Sequence, residues 1–247
     1  MRAMILAAGL GTRLRPLTEK IPKALIKIKE HTLLELQINK LKSAGFDKII
    51  INIHHHAKMI KDFLNQNEDL GCDIEISDET ENLLDTGGGL KKASWFFSDN
   101  KPFLVHNVDV LSDINLVDLF HQHFRTDSLA TLAVMERKSS RFLVFDEENK
   151  LAGWKNEIKG ESKVVRKPIG QIKLLAFSGI QIINPKIFNY FPQKDVFSLV
   201  DFYLSAATED KIDCCNHSGG KFLDLGKKES LQEAEVLFDK IKSTYQA

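Results

Sequence analysis

Few of the features that mark specialised chains occur in this sequence. Cysteine is scarce: Cys72, Cys214 and Cys215 are the only three. They show no metal-ligand spacing, and an odd count argues against a disulfide framework. A reducing, cytoplasmic setting is therefore expected. No apolar run approaches the ~20 residues of a membrane span. The start, Met1-Arg2-Ala3-Met4-Ile5, superficially resembles a signal peptide, but its apolar run is short and passes straight into glycines, which reads as a first strand. Excess charge of either sign is missing too, since Lys+Arg and Asp+Glu each number 34. That balance supports neither a broad nucleic-acid surface nor a polybasic membrane anchor, so no nucleic acid and no membrane is expected as a partner. Internal repeats and low-complexity linkers are absent. With 247 residues and 43% hydrophobic content, one domain spanning 1–247 is the simplest organisation.

What is present is an alternation of strands and helices. Apolar runs at 3–8, 48–53, 72–77, 102–107, 128–136 and 174–183 read as strands, with short ones at 213–216 and 221–225. Helical spacing predicts helices over 33–44, ended by Gly45, and over 57–65, 116–124, 198–207 and about 228–243. Gly87-Gly88-Gly89 opens a further helix to about Phe97. The pattern predicts an α/β fold with a largely parallel sheet. It changes over 137–173, where a hairpin turns at Asp146-Glu147-Glu148-Asn149 and a polar loop or edge insertion follows. This excursion is expected to lie over the substrate pocket.

Residues 3–28, AMILAAGLGTRLRPLTEKIPKALIKI, carry the chemistry. A buried strand runs into Gly9-Leu10-Gly11, and Arg13, Arg15, Lys20 and Lys23 follow. Glycines admit a ligand close to the backbone, and successive N–H groups converge on an anion. Arg and Lys neutralise its charge. Such a surface suits a polyphosphate. Both familiar phosphate loops are missing. A dinucleotide fingerprint needs a third glycine where Leu14 stands, and Arg15-Pro16 opposes a helix entering directly. The Walker string G-x-x-x-x-G-K-[ST] does not occur. What matches, at 6–18 and 22–25, is L-A-A-G-x-G-[TS]-R-[LM]-x-P-L-T followed by P-K-[PA]-L. In these residues the chain resembles the sugar-1-phosphate nucleotidyltransferases, also called nucleoside-diphosphate-sugar pyrophosphorylases.

The resemblance implies a Rossmann-like three-layer sandwich with a mixed, mostly parallel central sheet. It implies a reaction in which an NTP and a sugar-1-phosphate give an NDP-sugar and pyrophosphate. Ala7, Ala8, Gly9, Gly11 and Thr12 would hold the nucleotide, with Gly87 and Gly88 beside them. Arg13 would hold the β/γ-phosphates and Lys23 would sit at the reacting α-phosphate. Asn107 and Gly179 would serve the sugar, and Asp109 and Asp224 would bind Mg²⁺. Three positions depart from the family pattern: Val108 and Lys227 replace the usual glycine and threonine beside those aspartates, and Asp85 replaces glutamate before Thr86. The chain looks most like the short single-domain group that includes N-acetylmuramate-1-phosphate uridylyltransferases, so UTP with an aminosugar-1-phosphate is the first expectation. Mannose-1-phosphate guanylyltransferases and phosphocholine cytidylyltransferases share these motifs. A non-catalytic, sugar-nucleotide-binding regulatory relative would be expected to lose the cations or aspartates, and all four are here.

The chemistry fits these residue types independently of the resemblance. Nucleotidyl transfer asks a protein mainly for positioning and charge stabilisation. A sugar phosphate has a second pKa near ~6 and is already largely a dianion at neutral pH, so no general base is required. Other features take plainer readings. Consecutive residues at a strand end alternate sides, so His54-His55-His56 cannot converge on one metal, and a place along the cleft is expected instead. Trp95-Phe96-Phe97 is expected in the core. Arg166-Lys167-Pro168 is similar to the E-K-P string that contacts sugar in some relatives, but its glutamate is missing and no role is carried over.

Overall fold

A computed structural model describes residues 1–227 and 229–245; Lys228, the expected start of the last helix, lies outside them. In chain order the strands are β1 (Arg2–Leu6), β2 (Lys27–Ile28), β3 (His31–Thr32), β4 (Lys48–Ile53), β5 (Asp73–Asp78), β6 (Phe103–Asn107), β7 (Val110–Ser112), β8 (Ala130–Met135), β9 (Arg141–Phe145), β10 (Leu151–Asn156), β11 (Glu161–Val164), β12 (Lys173–Ile183), β13 (Ile212–Asn216) and β14 (Phe222–Asp224). The helices are α1 (Leu17–Lys20), α2 (Leu33–Ser43), α3 (Ala57–Gln66), α4 (Asp85–Lys92), α5 (Leu116–Phe124), α6 (Leu199–Ala206) and α7 (Ser230–Ile241). No described helix is long and apolar enough to cross a membrane.

Side-chain alternation along the strands builds the layers. Ala3, Ile5, Ile49, Ile51 and Leu104 enter a core shared with α2, α3, α5 and α7. Met4, Ile50 and Val105 enter a second core shared with α4 and α6. Because both faces are covered, these strands read as unbroken apolar runs. β5, β4, β1 and β6 lie side by side and parallel, β12 joins β6 antiparallel, and β8 links β12 to β13. The result is a Rossmann-like sandwich around a mixed, mostly parallel central sheet. Locally, α2 starts on a capping box, with Thr32 Oγ1 accepting from the Glu35 N–H at 3.1 Å and Glu35 Oε2 accepting from the Thr32 N–H at 3.3 Å. Gly45, at φ 83°, ends it.

The register places the site. Leu6 pairs with Asn52 on one side and Asn107 on the other, so β1, β4 and β6 end together. The chain passes to opposite sides of β1 at this point, and such a switch opens a crevice at the carboxyl ends of parallel strands.

Some elements differ from the sequence expectation. The helix expected at Gly87 starts at Asp85 and gives way to a 3-10 turn at Ser94–Phe97. Trp95 is exposed, while Phe96 and Phe97 are buried. The polar insertion contains β11, an exposed edge strand antiparallel to β10. Its Arg166 donates to Asp146 Oδ2 at 2.7 Å and to the Leu151 carbonyl at 2.9 Å, ties internal to the excursion.

β7 and β14 form a separate antiparallel ribbon in which Val110 lies opposite Asp224. The other edge of β7 meets side chains instead of a strand. Gln37 Nε2 donates to the Val110 carbonyl at 2.8 Å, and Lys40 Nζ donates to the Ser112 carbonyl and to Ser112 Oγ. The Ser112 N–H donates to the Tyr245 hydroxyl at 3.0 Å. Lys40 is only 2% exposed and lies 5.1 Å from the Tyr245 ring centroid. Burial lowers its pKa from 10.5 to about 7, against an opposing pull from Asp113. The neighbouring His106 is held neutral, near 3, by its own burial and then by Lys40.

Because the folded-state value of Lys40 lies below the unfolded one, the unfolded chain holds more protons between them, and stability rises with pH across that window. Relative to Lys40→Met, the native protein should gain about 2 kcal/mol between pH 7 and 9. Urea unfolding at both pH values measures this, and an equal pH response in the two proteins would contradict it.

Candidate functional site

A cleft of ≈ 490 Å³ opens at the shared end of β1, β4 and β6. Its walls come from the loop after β1, from Lys23, from Asn52 and Glu79, from Asp85 and Thr86, from 107–109, and from Val196 and Gly226. Of the residues anticipated from sequence, Ala7, Ala8, Gly9, Gly11, Thr12, Arg13, Lys23, Asn107 and Asp109 all line it.

The glycine loop is shaped by contacts a larger residue would break. Gly11 sits at φ 61°, and a Cβ there would stand 2.7 Å from Thr18 Cγ2. Its carbonyl accepts from Thr18 Oγ1 at 2.9 Å and from the Leu14 N–H at 2.8 Å, folding 12–14 into a 3-10 turn that carries Arg13. A Cβ on Gly9 would meet nothing within 4 Å, so this part of the loop stays open to a ligand. The Ala7 N–H is already taken: it donates to Asn52 Oδ1 at 2.7 Å.

That contact begins a relay invisible to motif reading. Asn52 Nδ2 donates to Glu79 Oε1 at 2.8 Å, and Glu79 Oε2 accepts from the Leu84 N–H at 3.2 Å. Glu79 is 1% exposed, and its burial raises its pKa although Asn52 and Leu84 oppose the shift. The available signal was Asn52 itself, a polar residue interrupting the apolar run KIIINI. The histidines do not line the cleft as expected. His54 Nδ1 instead meets the Glu79 carbonyl at 2.6 Å, and the His55 and His56 rings lie 3.8 Å apart.

Cations and carboxylates gather at the opposite end. Lys23, in a 3-10 turn, forms an ion pair with Asp109, which directly precedes β7. The Asp109 carbonyl accepts from the Leu225 N–H at 2.9 Å, which brings the Asp224 segment alongside. Asp224 remains exposed as a residue, yet partial removal of its carboxyl from water, and then the charge of Asp109, raise its pKa. Lys23, Arg13 and Arg137 pull it the other way. Arg13 reaches this corner through Gly226, where a Cβ would stand 2.8 Å from Nη1. The four charged groups singled out by the resemblance are thus brought together by the fold from distant segments.

Gly179 adopts φ 70° inside an irregular stretch of β12, and a Cβ there would stand 2.7 Å from Asn107 Nδ2. Gly87 and Gly88 do not line the cleft, and their smallness serves protein packing. A Cβ on Gly87 would strike the Phe197 ring at 2.3 Å, one on Gly88 would strike the Asp195 carbonyl at 1.9 Å, and both N–H groups donate to the Phe197 carbonyl. Asp85 and Thr86 face the cleft in their place. No residue of the 137–173 excursion appears among the lining residues.

The surroundings of Gly226 make a direct test. Gly226→Ala must displace the end of the Arg13 side chain, a flexible group, without touching a core. The fold should survive with a Tm within a few degrees, while affinity for a nucleoside triphosphate falls about tenfold, roughly one charge-assisted hydrogen bond. Calorimetric titration with the triphosphate reads this, and unchanged affinity would detach Arg13 from phosphate binding.

Comparison with known proteins converges on one family. The nucleotidyl transferase family model matches residues 2–240. N-acetylmuramate alpha-1-phosphate uridylyltransferase of Neisseria meningitidis serogroup B is 32% identical over 237 residues, covering 96% of this chain and 98% of that protein. Mannose-1-phosphate guanylyltransferase catalytic subunit beta of Dictyostelium discoideum is 28% identical over 248 residues, covering 98% of this chain and 66% of that one. Among solved structures, HddC from Yersinia pseudotuberculosis superposes with a TM-score of 0.75 at 23% identity, covering 96% of this chain and 99% of that chain, a likeness of fold.

Proposed function

We propose that this chain, which belongs to the nucleotidyl transferase family, transfers a nucleotidyl group from an NTP to a sugar-1-phosphate, with UTP and N-acetylmuramate-1-phosphate as its pair. The observation that carries the reading is the meeting of Arg13, Lys23, Asp109 and Asp224 beside an open glycine loop. The choice of substrates follows relatives that match nearly end to end. Residues 1–247 are read as one catalytic domain, working in the cytosol.

In this reading a phosphate oxygen of the sugar-1-phosphate attacks the α-phosphorus. The bond from that phosphorus to the bridging oxygen breaks, and pyrophosphate leaves with the electron pair. The glycine loop admits the triphosphate, Arg13 holds its outer phosphates, and Lys23 stabilises charge that grows on the α-phosphate. Asn107, fixed against Gly179, orients the sugar.

Asp109 and Asp224 suit Mg²⁺. They are hard oxygen donors on adjoining segments, and the raised pKa of Asp224 reflects, after burial, the repulsion of its neighbour. Among the described residues no group of three or more His, Cys, Asp or Glu gathers as a metal cluster. An ion here would take the two carboxylates and complete its shell from phosphates and water. Bound there, the ion would offset the negative charge of the triphosphate.

A matrix of NTPs against sugar-1-phosphates and phosphocholine, scored by pyrophosphate release, tests the reaction. UTP with N-acetylmuramate-1-phosphate should give the highest kcat/KM; a preference for GTP with mannose-1-phosphate would move the substrate assignment. Release of inorganic phosphate in place of pyrophosphate would sink the reading entirely.

Two sets of variants test the roles. Lys23→Ala should lower turnover about a hundredfold, the usual cost of one such contact, with little change in Tm. Asp109→Asn and Asp224→Asn should each remove most activity and blunt the response to added Mg²⁺. Their combination should be little worse than either alone, because both act on one ion. Multiplying losses would show that they act separately.

A further inference from the structure

Arg137 is held in place but not paired. It follows β8, where the chain enters the excursion. Its guanidinium lies 4.6 Å from the centroid of the Phe222 ring, and Nη2 donates to the Phe177 carbonyl at 3.0 Å. Nη1 reaches only the Lys138 carbonyl, at 3.5 Å, and Nε is buried with no partner. Among the described residues the arginine salt bridges are Arg2–Asp99 and Arg166–Asp146, so Arg137 has none. Burial lowers its pKa and the charge of Asp224 raises it, which places the two side chains within electrostatic reach. The guanidinium stays cationic throughout. A half-buried cation with open donors and no counter-charge carries a desolvation cost that an arriving anion offsets.

The neighbours indicate which anion. Phe177 precedes Gly179 by two residues, and Gly179 packs on Asn107; Phe222 precedes Asp224 by two. The contacts of Arg137 therefore lie on the strand that carries Gly179 and on the strand that carries Asp224. The lining of the nucleotide cleft includes Arg13 and Lys23 and ends at Asn107, Asp109 and Gly226, without Arg137. The triphosphate thus has two cations of its own. Arg166, the arginine of the string similar to E-K-P, is committed to Asp146 and Leu151.

We propose that Arg137 binds the phosphate of the sugar-1-phosphate, presenting Nη1 to its oxygens and reducing the repulsion as that dianion nears the α-phosphate. This rests on the transfer reaction proposed above. It makes Arg137 a substrate-binding residue contributed by the excursion, which otherwise stays outside the cleft.

The test is calorimetric, on the full chain saturated with Mg²⁺ and α,β-methylene-UTP. The probes are N-acetylmuramate-1-phosphate and N-acetylglucosamine-1-phosphate, which lacks the lactyl carboxylate. Arg137→Gln should weaken both sugar phosphates by about tenfold or more, and α,β-methylene-UTP by less than about twofold. Arg137→Lys should recover part of the loss, and Tm should stay within a few degrees in both variants. Loss confined to the muramate probe would overturn the proposal, because the arginine would then be reading the carboxylate. Equal weakening of nucleotide and sugar phosphate, or no weakening of either, would overturn it as well. Should the native protein bind neither probe, inorganic phosphate takes their place. An Arg137-dependent affinity for it would keep Arg137 as a phosphate-binding residue while the aminosugar assignment fails, and independence from Arg137 would overturn the proposal.

Discussion

The ion pair between Lys23 and Asp109 joins the two halves of the site. Lys23 closes the segment that begins with the glycine loop, and Asp109 closes the strand neighbouring β1 on its far side. Parallel register brings those ends together, and the ion pair fastens them. Formally the group is neutral: Arg13 and Lys23 balance Asp109 and Asp224. A polyanion is therefore not drawn in by a surplus of local positive charge. Under the proposed function it would be met by backbone N–H groups of the glycine loop, by a divalent ion between the carboxylates, and by Arg137 at the sugar phosphate.

Behind this surface, strand ends are satisfied by side chains instead of further strands. Asn52 occupies the Ala7 N–H and is itself held by Glu79. Gln37, Lys40 and Tyr245 satisfy the free edge of β7. Each device buries polar atoms, which is costly unless every partner is present. Both lie within a few residues of groups that face the cleft, so they set where the loop and the carboxylate ribbon can stand.

Much of this was legible in the sequence, for physical reasons. Buried parallel strands announce themselves as unbroken runs such as Lys48–Ile53, and the glycine loop with its cations is a local string, so fold class and phosphate loop could both be read. Asp109 and Asp224 could be named because each ends a short recognisable string, although only the fold shows that β7 and β14 pair. What escaped has no local period. Glu79, a single acid after a strand, becomes meaningful only when Asn52 stands opposite. Gly87 and Gly88 looked like a ligand surface because sequence cannot tell close approach by a phosphate from close approach by Phe197 and Asp195. The histidine triplet failed likewise: its nearest partner is a carbonyl on another segment.

Tyr245 holds the Ser112 N–H through its hydroxyl while its ring covers Lys40 and packs beside Phe238. The support of the carboxylate ribbon thus runs through the single turn that follows α7, far in sequence from the strand it steadies. Removing that hydroxyl would leave the Ser112 N–H without its acceptor, so a change 133 residues away in sequence would reach the ribbon that carries Asp224.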